Sequence, residues 1–156
     1  MASHTKEELL HATCIAFGPT GVLLLGEPGA GKSDLALRVT SGCAAQLRHL
    51  PPAPIMLVAD DQVLISNEDG TLIARPHPNI AGKLEVRGIG MLDVPYLPAA
   101  EVRLIARLVP FGAVPRLPPE PLAHEMLCGA GVPVLHFDPF EASAPLKLRL
   151  AVYQLC

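Results

Sequence analysis

The 156-residue sequence has no basic run, no C-x-x-C pair and no apolar run near the roughly 20 residues a membrane span needs. Each absence excludes a class of function. Lysine and arginine number 12 against 15 aspartates and glutamates, a net charge of −3. The electrostatic footprint that nucleic acid or an anionic membrane requires is therefore missing. The N-terminal "MASHTKEELLHATC" carries Lys6, Glu7 and Glu8 and lacks the apolar core of a secretion signal. Cys14, Cys43, Cys128 and Cys156 are scattered, with no histidine at metal-ligand spacing, and read as free, mostly buried thiols of a reducing cytoplasm. No internal repeat and no Gly/Ser linker interrupts the chain. With 50% hydrophobic and 17% charged residues, the composition is that of one folded domain.

What is present begins with "GEPGAGKSD", residues 26 to 34. Gly26, four residues, then Gly31, Lys32 and Ser33 is the spacing that wraps backbone amides around the phosphates of a nucleotide. Glu27, Pro28, Gly29, Ala30 and Asp34 complete the loop. Lys32 would reach the β- and γ-phosphates and the Ser33 hydroxyl would ligate Mg²⁺. The context fits. Residues 11–25 predict two strands around "GPTG", the second running into the loop, and 32–41 predict a short helix with Leu35, Ala36 and Val39 on one face, ending at Gly42.

Further along, "IMLVADD" (55–61) predicts a buried strand ending in Asp60 and Asp61, and "QVLISNEDGTLIARP" a hairpin around Asp69-Gly70. "LEVRGIGML" predicts a strand and a glycine-rich turn; 102–109 and 132–137 predict buried strands. "PFGAVPRLPPEPLAHE" (110–125) holds too many prolines for regular structure and reads as a loop. The C-terminal segment reads as a helix, with Leu146, Leu150 and Tyr153 fitting one face, Ser143 as its cap and Pro145 in its first turn.

Adjacent carboxylates at a strand end can serve two roles, one toward a hydroxyl to be phosphorylated and one toward a metal, or they can cap a solvated turn. His11 stands at a strand start, where a structural role is the plain alternative to a catalytic one. Arg116 in the proline-rich loop suits either a charge clamp or an ordinary surface residue. Glu85 and Arg87, two apart on one strand face, suit a surface ion pair equally well.

Four of these features in order, namely His11, the "GEPGAGKSD" loop, "LVADD" and "LEVRGIGMLDV", resemble the C-terminal catalytic domain of HPr kinase/phosphorylase from residue 11 to about residue 95. The resemblance is to the short form known among α-proteobacteria, a single domain over 1–156 with no separate N-terminal domain and an insertion, "RHLPPAP", before the "VADD" strand. It implies an α/β P-loop domain with a mixed, largely antiparallel sheet, related to phosphoenolpyruvate carboxykinase. It also implies an ATP- and Mg²⁺-dependent kinase acting on a serine of the phosphocarrier protein HPr, able to run the reverse step with inorganic phosphate. Asp60 is then the base, Ser33, Asp61 and Glu85 surround the metal, and Gly26 to Asp34 hold the nucleotide. His11 lies beside the transferring phosphate, where its titration near neutrality biases the direction of reaction, and Arg116 resembles the family's loop arginine. A cytoplasmic homo-oligomer, a hexamer by resemblance, is implied as well. Two other readings of the same loop are a small-molecule kinase and a nucleotide-binding regulatory module without turnover. The first is disfavoured by the lack of an arginine-rich lid in 110–122, the second by a base beside an intact Lys32 and Ser33.

Overall fold

In the computed structural model, the structure describes residues 5–43, 49–51 and 53–156; His4 and parts of the "RHLPPAP" insertion lie outside them. The strands are β1 (Glu7–His11), β2 (Thr13–Phe17), β3 (Thr20–Leu25), β4 (Ile55–Ala59), β5 (Gln62–Glu68), β6 (Thr71–Pro76), β7 (Lys83–Val86), β8 (Gly90–Asp93), β9 (Ala100–Leu108), β10 (His124–Leu127) and β11 (Ala130–Phe137). The helices are α1 (Lys32–Arg38), extended by a π-helical turn over Val39–Cys43, and α2 (Ala144–Leu155).

Most of the strands join one sheet in the order β1-β5-β6-β9-β3-β2-β4, with β11 on β9 and β10 on β11. Only β3 with β9 and β9 with β11 run parallel, so the expected mixed, largely antiparallel sheet is what forms. β9 is the hinge of this arrangement. One edge pairs with β3, while the other takes β6 near Ala100 and β11 from Ile105 to Leu108.

Strands with apolar residues on both faces must be covered on both faces. β2 is buried throughout. Cys14, Leu23, Val58 and Ile105 pack toward Val63, Ile65 and Leu72 of the β5–β6 hairpin. Ile15, Val22, Leu24 and Leu104 pack toward Leu35 and Val39 beside α1 and toward Leu148 and Val152 of α2. The expected Leu35-Ala36-Val39 stripe is wholly buried. Asp69 and Gly70 have φ of 55° and 90°, the left-handed pair a two-residue hairpin requires.

Several local expectations need correction. β1 was not anticipated: its charged, half-exposed residues carry little apolar signal, yet it pairs with β5 from Glu7 to His11. "LEVRGIGML" is a complete two-stranded hairpin, β7 with β8, instead of one strand and a turn. The proline-rich stretch is irregular apart from a 3₁₀ turn at Phe111–Ala113, but its last residues, His124 and Glu125, enter β10. There Cys128 and Gly129 supply positive φ for the turn into β11. Helix α2 buries Ala144, Pro145, Leu148, Arg149 and Val152, so its inner stripe differs from the Leu146-Leu150-Tyr153 face, and Tyr153 is exposed. Ser143 occupies the cap position, but its hydroxyl donates to Glu141 Oε2 at 3.1 Å and makes no cap bond. Cys14 and Cys128 are buried as expected, whereas Cys156 is exposed. Among the described residues no helix is long and apolar enough to cross a membrane.

Candidate active site

The loop between β3 and α1 is shaped by glycines. Gly29 and Gly31 have φ of 81° and 97°, a conformation open to glycine at little cost. At Gly31 space is also short: a methyl group there would sit 3.2 Å from two ring carbons of Phe140. The Lys32 ammonium, on a largely buried side chain, folds back to donate to the backbone oxygens of Gly26 at 2.9 Å and Glu27 at 3.2 Å. One lysine thereby holds the loop closed on itself and sits where phosphates would pass.

Strand β4 delivers the carboxylates. Its pairing with β2 shifts register where Cys14 and Ile15 face Ala59 and Leu57, which leaves Val58 of β4 as the extra residue of a bulge, a feature that re-aims side chains beside sites. Asp60 is only 4% exposed, which demands partners for its charge. It has them. Thr13 Oγ1 donates to Oδ1 at 2.7 Å, Ser33 Oγ lies 2.7 and 2.9 Å from the two carboxylate oxygens, and the Glu85 amide donates to Oδ2 at 3.3 Å. β2, α1, β4 and β7 thus meet on one side chain.

Asp61 turns the other way. The Gln62 N–H donates to the Asp60 carbonyl at 2.9 Å, closing a three-residue turn with Asp61 at its centre and φ of 71°. Such a γ-turn is rare and strained, and strain of this kind gathers at functional sites. The turn sends the Asp61 carboxylate outward to His11, whose Nδ1 is 3.1 Å from Oδ1; both side chains are more than half exposed.

A cleft of about 440 Å³ joins these groups, lined by His11, Thr13, Lys32, Ser33, Asp61 and Glu85, with Gly29, Gly31 and Asp34 of the loop. Of the expected residues, His11, Pro28, Gly29, Gly31, Lys32, Ser33, Asp34, Asp61 and Glu85 line it together, whereas Gly26, Glu27, Ala30, Asp60 and Arg116 do not. Asp60 lies behind the wall, reached through Ser33 and Thr13. Arg116 lies on the exposed loop between β9 and β10 and does not line the cleft. Thr13, Arg87 and Phe140 also belong to the site. Thr13 had no signal in the apolar run "ATCIAF"; Arg87 was visible beside Glu85 but fitted a surface pair.

The donor set fits Mg²⁺. Ser33, Asp60, Asp61 and Glu85 offer oxygen alone, and no group of three or more His, Cys, Asp or Glu side chains forms a cage among the described residues. Mg²⁺ needs only one or two carboxylates, completing its shell with water and substrate phosphates. Burial pushes the Cys14 thiol up to about 12 and raises that of Cys128, which disfavours the thiolate at both.

Comparison with known proteins bears on the fold and the family. The HPr kinase/phosphorylase of Mycoplasma mycoides subsp. mycoides SC is 34% identical over 92 residues, 59% of this chain and 25% of the relative. That of Clostridium botulinum is 38% identical over 91 residues, 58% of this chain and 26% of the relative. The matched segments thus span about a quarter of the length of these curated relatives. The solved structure titled as the Hpr(Ser) kinase/phosphatase from Coxiella burnetii superposes with a TM-score of 0.75 at 28% identity, covering 94% of this chain and 89% of that one. The profile described as HPr Serine kinase C-terminal domain matches residues 2–102, and the chain belongs to that family.

Proposed function

We propose that the chain is a cytoplasmic, homo-oligomeric protein-serine kinase that transfers the γ-phosphate of ATP, with Mg²⁺, to a serine of an HPr-like phosphocarrier of the phosphotransferase system, and that it can run the reverse phosphorolysis. The observation that carries this reading is the contact of Asp60 with Ser33 at 2.7 Å beside the glycine loop and Lys32. A phosphate-binding serine and a buried carboxylate are in direct contact where phosphate and acceptor would meet.

In this reading the chain contributes positioning and charge, which is most of what phosphoryl transfer requires. The backbone N–H groups of the loop from Gly26 to Asp34, Pro28 excepted, hold the phosphates. Lys32 exchanges the carbonyls of Gly26 and Glu27 for phosphate oxygens, a movement within its own loop. Ser33, Asp61 and Glu85 would hold Mg²⁺, which supplies neutralisation of the charge that grows on the transferring group. Asp60 receives the serine proton, and returns it to the serine oxygen in the reverse direction. Thr13 holds Asp60 in place while Ser33 turns to the metal. His11, paired with Asp61 at the rim, stands beside the transferring phosphate. Arg116 acts as a charge clamp only when its loop closes over the cleft.

The test is transfer from γ-labelled ATP with Mg²⁺ to purified HPr from the same cell, run beside HPr whose candidate serine is alanine. Label on the first protein alone supports the reading. Label on neither, with ATP bound, overturns it in favour of a regulatory module or another acceptor.

A further inference from the structure

The cleft has a polar wall and an apolar part, and the roles above use only the polar wall. Pro28, Leu37, Val86 and Phe140 supply the apolar part of the lining. Phe140 is 69% exposed, a large apolar ring left facing the cleft. It is nevertheless held. The Phe140 N–H donates to Asp138 Oδ1 at 3.0 Å, and the Arg38 guanidinium donates to the backbone oxygens of Pro139 and, at 3.4 Å, Glu141. Arg38 is itself fixed by Asp34, one turn earlier on α1, at 3.0 Å. The segment carrying the ring is therefore strapped to the helix that begins at the phosphate loop, and the ring abuts Gly31.

We propose that Phe140 is the nucleobase platform of this site: a planar base packs on its exposed face while the attached phosphates run to Lys32 and Ser33. The inference rests on the nucleotide reading above and deepens it by assigning the base end of the ligand. An aromatic face accepts a base of any identity, since every base has a π-face, so this contact supplies affinity more than choice of base.

The experiment compares binding of Mg·ATP and of Mg·tripolyphosphate, which has the phosphates without a base, to the wild-type chain, Phe140→Ala and Phe140→Tyr. Removing one base-stacking ring is expected to weaken ATP binding about tenfold. Tripolyphosphate affinity should change less than about twofold, and Phe140→Tyr should bind both ligands as the wild type does, because its ring offers the same face. Equal loss of both ligands in Phe140→Ala would mean that the ring merely props the phosphate loop. No loss of either would mean that the base lies elsewhere. Each result overturns the platform while leaving nucleotide binding intact. A wild-type chain that binds neither ligand would overturn the nucleotide reading itself, and the platform with it.

Discussion

Two regions of one cleft, adjoining each other, are built on opposite rules. At the wall, the Thr13 and Ser33 hydroxyls and the Glu85 amide form a knot around the buried Asp60 carboxylate, each bonded to one of its oxygens. At the rim, His11, Asp61, Arg87 and Phe140 stand largely in solvent, each fastened by few contacts. A buried carboxylate left without donors is costly, so the knot contributes to the fold and, on the proposed function, to the chemistry as well. The rim is free to serve the ligand alone. Side chains of the first kind should therefore be difficult to change without structural cost, and those of the second should alter binding with stability almost unmoved.

Lys32→Ala should break the comparison most visibly, because Lys32 belongs to the polar wall yet closes its own loop. Loss of one preorganised charge at a transferring phosphate is expected to lower transfer by about 10²–10³-fold, measured as initial rates at saturating Mg·ATP. Next, Thr13→Val removes a donor from Asp60 while keeping the shape. Its expected cost is about 1–3 kcal/mol in urea unfolding, whereas His11→Ala at the rim, which removes an exposed ion pair, should cost about 0–1 kcal/mol. Equal costs at the two positions would remove the distinction between knot and rim.

The smallest effect concerns the strap that carries Phe140. The hydrogen bond from Lys147 holds the Glu141 carboxyl below its ordinary value, aided by Ser143. A carboxyl whose folded value is depressed contributes stability above its unfolded value and loses it as pH falls through the folded one. Glu141→Gln should thus leave stability slightly lower at pH 7, with the difference shrinking as pH falls below the ordinary carboxylate range, read as melting temperature against pH. A difference that grew toward acid would reverse the assignment.

How much of this was legible in the sequence follows the range of the interactions. The phosphate loop and the Asp69-Gly70 turn are local, written in glycines whose spacing or φ has one physical use, and both were legible. β1 and β10 depend on partners that supply what their short, charged segments lack, namely β5 for one and β11 for the other. Thr13 is invisible for a different reason. Its hydroxyl meets a carboxylate 47 residues away, inside a strand whose other residues are apolar. The γ-turn that separates Asp61 from Asp60 also has no sequence signature, although the adjacent pair of aspartates suggested two roles. Phe140 follows a proline in a loop and becomes noticeable only when Arg38 brings its segment onto the phosphate loop.

On the proposed function, the carboxylate of the knot takes the serine proton while the loop and the rim hold the nucleotide. The most direct measurement is made on Asp60→Asn, with folding checked by circular dichroism and with Mg·ATP affinity and label transfer to HPr determined on one preparation. Loss of a positioned base should lower transfer by about 10²–10⁴-fold. Nucleotide affinity should stay close to that of the wild type. A folded Asp60→Asn protein that phosphorylates HPr at near-native rate would contradict the account.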